Sequence, residues 1–308
     1  MLRRQRTLKQ SVSCYGMGLH SGLIVNMTLR PLPPGSGVVF QRLDLEGHPR
    51  VKATYTNISG TNMATSLASG KAEVKTVEHL LAVFAGMGMD NVLVQLDAPE
   101  VPILDGSAAP FVYLVRHAGV AEQVGLQPCL RVRKEVKVDE DGKSAAIYPS
   151  EETEIYCTIE FDHPLIGEQR SSYIHSEDNF CREIGPARTF GFKSEVDYLH
   201  RNGLARGGSL DNAVVVDEYR VLNDEGLRFR DEFVRHKVLD TLGDLFLAGF
   251  PLKGRFVGYR AGHHMNYQLI KELMADTSAW ELITDNAALP KPVPGEVMAP
   301  ELTNPLAV

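Results

Sequence analysis

Cysteine is scarce and scattered: Cys14, Cys129, Cys157 and Cys181 are the only four, and no two form a CxxC pair. That excludes a disulfide framework and a thiolate zinc cage, so any metal must be held by histidines and carboxylates. Cys157 lies in the alternating run TEIYCTIEF, where a small buried hydrophobe is expected. Positive charge is not in excess. Lys plus Arg number 32 against 39 Asp plus Glu, a formal net charge of -7, which argues against nucleic acid as a partner. Long apolar runs are missing too. No stretch approaches the roughly 18 to 20 continuous apolar residues of a membrane span, so no integral membrane segment is expected. The basic start MLRRQRTLKQ looks like the opening of a signal peptide, but the following SVSCYGMGLHSG has no apolar run to continue one. The expected location is cytoplasmic.

Core material is plentiful: 308 residues at 44% hydrophobic suffice for two ordinary domains. The strand-like runs VNMTLRPL and GVVFQRL precede a helix near Thr76 to Gly86 and the apolar run NVLVQL. Periodicity lapses in GVAEQVGLQP, and the texture then resets. RVRKEVKV, SAAIYP and TEIYCTIEF read as strands, followed by helices around Ser194 to His200 and Glu232 to Leu247. The fold class is therefore α+β, with a first domain over 1–127, a second over 128–280 and a Pro-rich tail over 281–308. Each half has strands and then one His-bearing helix with a Gly soon after it, although sequence repetition between them is weak.

The segment DEFVRHKVLDTLGDLFLAG is the most informative. As a helix it puts Val238, Leu239, Leu242, Leu245 and Phe246 on one apolar arc, with His236, Asp240 and Asp244 at i, i+4 and i+8 on the other side. Two ligands four residues apart on one face can meet a single cation. The same spacing also describes a solvated face with an i,i+4 ion pair. In KTVEHLLAVFAGMG, Val77, Leu80, Leu81 and Phe84 form a helical stripe, and Gly86 or Gly88 supplies a stop. His79 from this second helix would complete a His2Asp set with an open position for water, and Glu78 would be the natural base. Glu78 also fits as a plain first-turn acid. In RFVGYRAGHHMNYQLIKEL a strand, a Gly turn and an amphipathic helix surround two histidines, His263 and His264. One of them could protonate a leaving amine, and the pattern does not choose between them.

Together and in this order, these elements closely resemble the bacterial UDP-3-O-acyl-N-acetylglucosamine deacetylases, zinc enzymes of lipid A biosynthesis. The resemblance runs nearly end to end, through QRTLK, GLHSG, TVEHLLA, GMDN, APEVPILDGSAAPFVYL, FDHP, ARTFGF, GGSLDNAVVVDEYRVLN, GLRFRDEFVRHKVLDTLGDL and GHHMNY. It implies two similar two-layer sheet/helix domains packed helix layer to helix layer, with an insert in each. It also implies that His79, His236 and Asp240 bind zinc, with Fe2+ a substitute in the cell, and that Glu78 is the general base. Thr189 and Lys237 would polarise the carbonyl oxygen, and His263 would be the general acid, oriented by Asp244. Phe190, Phe192, Val196, Ala205, Ser209, Ala213 and Val215 map to the surroundings of an acyl-chain passage. Lys143, Phe161 and Arg260 map to the uridine diphosphate end. The implied substrate is UDP-3-O-acyl-N-acetylglucosamine, and a regulatory protease is an implied partner. Two departures stand out: Ala64 and Ser66 replace cysteines found in some members, and HMNY after the Gly-His step leaves His264 without a role.

Overall fold

The computed structural model describes residues 2–284. Its α-helices are α1 (Glu78–Met87), α2 (Ala109–Ala118), α3 (Glu177–Asn179), α4 (Val196–Arg201), α5 (Glu232–Phe246) and α6 (His263–Ala275).

The first half is built on a five-stranded sheet in the spatial order Val12–Met17, Ile24–Pro31, Val92–Leu96, Val38–Arg42, Arg50–Lys52. Its central strand Val92–Leu96 is antiparallel to Ile24–Pro31 and parallel to Val38–Arg42, and α1 lies in the parallel crossover. The second half repeats this scheme. There the central strand Leu252–Tyr259 is antiparallel to Lys143–Tyr148 and parallel to Thr153–Glu160, and the crossover contains α5. Val136–Glu140 and Glu168–Ile174 extend that sheet on its two sides, as Val12–Met17 and Arg50–Lys52 do in the first half. α2 follows one central strand and α6 the other. The chain is thus two α+β halves of one topology, a duplication that the sequence alone shows only faintly.

Each half also carries an addition. The first holds a small three-stranded sheet of Ile58–Gly60, Ser66–Ser69 and Ala72–Val74. The second holds α4 and a parallel pair, Phe190–Phe192 with Val214–Val216.

Three expectations need correction. The segment read as a lapse of periodicity before residue 128 is a strand, Val120–Leu126, which pairs antiparallel with Arg4–Leu8 from the basic start of the chain. Its alternation is blunted because all its residues are half-buried or exposed, so no apolar face marks it. RVRKEVKV is two strands rather than one, Cys129–Val132 and Val136–Glu140, broken between them. The tail expected from 281 begins later, because Trp280–Ile283 pairs antiparallel with Cys129–Val132; the remainder of that tail, from 285, lies outside the described residues. α1 starts at Glu78, two residues after Thr76, whose φ of 57° is not helical. Gly88, in the left-handed conformation, ends it.

The two helix layers face each other, and α1 packs on α5. α1 is buried almost all round, which suits its run of Leu80, Leu81, Ala82, Val83 and Phe84. α5 is also buried on nearly every side, its polar stripe included, so the solvated-face reading of His236 and Asp240 does not hold. The helices cross at Gly243: a Cβ there would lie 2.0 Å from the carbonyl oxygen of Glu78. Glycine at that position lets the two backbones touch, and the touch point lies one residue from Asp244 and at the first turn of α1. Cys157 is buried beneath α5, its Sγ 3.8 Å from Thr241 Oγ1, and burial pushes its thiol pKa up to about 12. It is an inert packing residue.

Candidate active site

The crossing brings His79 from α1 and His236 and Asp240 from α5 together, with one donor atom of each within 4.8 Å of the others. Asp240 Oδ1 lies 3.3 Å from His236 Nε2 and 3.6 Å from His79 Nε2. The imidazole rings stand nearly perpendicular, 88° apart, with centroids 4.9 Å apart. All three residues are buried.

The donor chemistry fits a divalent cation. His236 Nδ1 donates to the carbonyl oxygen of Ala187 at 3.1 Å, which fixes the tautomer and leaves the Nε2 lone pair facing Asp240. Asp240 Oδ1 is buried without a hydrogen-bond partner, as is His79 Nδ1. A buried carboxylate oxygen flanked by two imidazole nitrogens and lacking a donor is the environment a cation satisfies. The electrostatics agree. Burial pushes the His236 pKa down to about 3, so the ring is a neutral ligand. Burial opposes ionisation of Asp240, but the charged Lys237 beside it holds the carboxyl well below the usual range. Lys237 Nζ donates to Asp240 Oδ2 at 2.8 Å.

Around this triad runs a cleft of about 280 Å³, lined by Leu19, His20, Met63, Thr76, Glu78, His79, Thr189, His236, Lys237, Asp240 and His263. Glu78 is only 3% exposed, and the Thr65 backbone N–H donates to its Oε2 at 3.0 Å. Burial raises its pKa, against the opposing pull of His263 and His79. Its other oxygen, Oε1, lies 3.9 Å from His263 Nε2. His263 opens α6, and its Nδ1 donates to Asp244 Oδ2 at 2.8 Å. Burial alone would lower the His263 pKa, but the carboxylates of Asp244, Glu78 and Asp240 prevail and hold it at about 10. His264 points elsewhere: it is half-exposed, with Nε2 3.1 Å from Glu140 Oε2.

Thr189 is pinned through its backbone, donating to the Gly106 carbonyl at 2.8 Å and accepting from Val214 N–H at 2.8 Å. The preceding residue, Arg188, is buried and grips the equally buried Glu232 at the start of α5, with Nε 2.9 Å from Oε1. Arg188 thereby ties the loop carrying Thr189 to the helix carrying His236.

The ten residues mapped to substrate lie outside the cleft wall. Phe161, Phe190 and Phe192 form one aromatic cluster, with Phe161 5.6 Å from each of the other two rings. Phe190 lies against His236 at 6.5 Å and under Lys237 Nζ at 5.6 Å, so the cluster abuts the triad. Val196 is half-buried at the start of α4, and Val215 pairs with Gly191 in the small parallel sheet. Ala213 is half-buried, Ser209 exposed, and Ala205 adopts a φ of 52°. Lys143 and Arg260 are exposed at the end of the second sheet where Leu252–Tyr259 runs on towards α6, and Arg260 Nη1 is 3.9 Å from Glu160 Oε2.

Sequence reasoning passed over His20. Its Nδ1 accepts from the Ala205 N–H at 3.3 Å, and its Nε2 is buried without a partner beside the cleft. Burial lowers its pKa. Glu100, fully buried, holds the loop that carries it by accepting from the N–H groups of His20 and Ser21 and from Thr76 Oγ1. The only signal was the GLHSG motif, since a lone histidine has no spacing to flag it.

Fold and site together define a class: a two-domain α+β protein whose halves jointly build a buried His2Asp site able to hold a metal ion, beside a polar cleft. The particular family follows from comparison with known proteins. Residues 5–275 match the model of the UDP-3-O-acyl N-acetylglycosamine deacetylase family, and the chain belongs to that family of hydrolases. Among similar relatives, the UDP-3-O-acyl-N-acetylglucosamine deacetylase of Myxococcus xanthus is 49% identical, over 91% of this chain and 89% of its own length. That of Teredinibacter turnerae is 47% identical over 91% and 93%. That of Alcanivorax borkumensis is 45% identical over 94% and 96%. No helix among the described residues is long and apolar enough to cross a membrane.

Proposed function

We propose that this chain hydrolyses the N-acetyl amide of UDP-3-O-acyl-N-acetylglucosamine, releasing acetate and UDP-3-O-acyl-glucosamine, in the cytoplasm, as the committed step of lipid A biosynthesis. The observation that carries the reading is the meeting of Glu78, His79, Thr189, His236, Lys237, Asp240 and His263 in one cleft of a deacetylase-family chain.

In this reaction a water oxygen bonds to the acetyl carbon and the C–N bond breaks, so one proton leaves the water and one joins the amine. An amide resists this, because its carbonyl is a poor electrophile and its amine a poor leaving group. His79, His236 and Asp240 would hold a zinc ion, which would supply Lewis acidity for the carbonyl and the water; the same donors would accept ferrous iron. Glu78 is the proton acceptor: its Oε2 is held by Thr65 N–H and its Oε1 faces the cleft near His263. Its raised proton affinity, a consequence of burial, suits that task. Thr189 and Lys237 offer an O–H and an N–H to the negative charge that grows on the carbonyl oxygen. Lys237 remains charged, since burial is outweighed by Asp240. His263 enters the reaction protonated and gives its Nε2 proton to the amine, while Asp244 holds Nδ1. The aromatic cluster of Phe161, Phe190 and Phe192 provides apolar surface beside the cleft for the rest of the substrate.

The test is acetate release from UDP-3-O-acyl-N-acetylglucosamine alongside the same acylated sugar without the uridine diphosphate. Release from the nucleotide substrate with a much lower kcat/KM for the other is expected. Equal rates on both would overturn the substrate assignment, and no release from either would overturn the reaction.

A further inference from the structure

Resting on that reading, we infer that Thr65 is a positioning residue that sets the spacing between the proton acceptor and the proton donor. It lies in the turn between the strands Ile58–Gly60 and Ser66–Ser69, in the first half, and is 1% exposed. Three hydrogen bonds leave it. Its N–H donates to Glu78 Oε2 at 3.0 Å, its carbonyl accepts from Val77 N–H at 3.2 Å just before α1, and its Oγ1 donates to Asp244 Oδ1 at 2.6 Å on α5.

The first two bonds use the backbone and survive any side chain except proline. The third needs a hydroxyl. Asp244 Oδ2 receives His263 Nδ1 at 2.8 Å and Asn266 Nδ2 at 2.9 Å, both from α6, so Thr65 is the first half's hold on this carboxylate. Without the hydroxyl, Oδ1 is buried with a lost donor, and the carboxylate is free to turn about its Cβ–Cγ bond, carrying His263 with it. One residue therefore grips the acceptor by its N–H and, through Asp244, the donor by its Oγ1. Their separation of 3.9 Å is fixed across the domain seam rather than within either half. Threonine suits this role because its branched Cβ restricts χ1 and holds the hydroxyl in one direction.

The test compares Thr65→Val, which keeps shape and backbone bonds, with Thr65→Ser, which keeps the hydroxyl. Thr65→Val is expected to lower kcat roughly 10- to 100-fold with KM and metal content unchanged, because a small misplacement of a proton donor is costly. Thr65→Ser is expected to stay close to wild type. On an Asp244→Ala background Thr65→Val should cost nothing further. Wild-type kcat in Thr65→Val, equal falls in both variants, or a full fall on the Asp244→Ala background would each overturn the role. A second arm needs no turnover: the downfield Nδ1–H proton resonance of His263, assigned by its loss in His263→Gln, should move in Thr65→Val and not in Thr65→Ser. An unmoved resonance overturns the positioning role. A moved resonance in a protein that releases no acetate supports the role and overturns the amidase reading instead.

Discussion

The two halves share one strand order and place a buried helix at the same point, yet they furnish the site unequally. α1 contributes only its first turn, Glu78 and His79, and is otherwise an apolar rod. α5 carries His236, Lys237, Asp240 and Asp244 along its length, and the second half adds Thr189 and His263. The contrast extends to the next helices. α6 opens on Gly262 and His263, whereas α2, at the matching place in the first half, opens on Ala109 and Pro110. In this pair of similar folds, one copy supplies mainly apolar packing and the other most of the polar residues of the cleft. The polar stripe of α5 can be buried only because α1 and the Thr65 turn meet it with complementary groups.

The comparison can be broken most severely at the proposed acid–base pair, Glu78 and His263, which draws one member from each half. Glu78→Ala and His263→Ala should each lower kcat for acetate release by about 10²- to 10⁴-fold, far more than the fraction of folded protein falls under assay conditions. If only one of the two mattered, the division of labour would be misdrawn. Next in size is the Arg188–Glu232 pair that braces the second half. Arg188→Ala leaves Glu232 buried without its counter-charge and should cost about 3–5 kcal/mol in urea denaturation. At the contact itself, Gly243→Ala forces a Cβ against the Glu78 carbonyl and should cost about 1–3 kcal/mol, with metal affinity falling as the helices separate.

A further expected effect is the pH dependence of stability in the metal-free protein, which tests the seam between the halves. His236 is depressed to about 3, so its contribution is present above its ordinary value of 6.5 and is lost as pH falls towards 3. His263 is raised to about 10, so its contribution is present below 6.5 and is lost as pH climbs to 10. Denaturation midpoints across pH should fall on both sides, with His236→Ala flattening the acid limb and His263→Ala the alkaline limb. Exchange of those two assignments would contradict the burial and charge pattern of the seam.

Much of this was legible in the residues, and the exceptions share a cause. The i, i+4, i+8 stripe of His236, Asp240 and Asp244 announced a polar face, because helical periodicity is local. That the face is buried was not legible, since its cover is α1, more than 140 residues earlier in the chain. The strand Val120–Leu126 was missed because its partner is the chain's own start and neither face is apolar. His20 and Thr65 have no spacing in the sequence to mark a role. Each is one polar residue whose partner lies far along the chain, Ala205 for the first and Asp244 for the second.

The most direct measurement of the central claim, that ligands from both halves build a single metal site which cuts the amide, is metal content and acetate release on the same samples of wild type, His79→Ala and His236→Ala. Wild type should bind one equivalent of metal and release acetate, and either substitution should abolish both. His79→Ala protein that keeps its metal and releases acetate at the wild-type rate would contradict it.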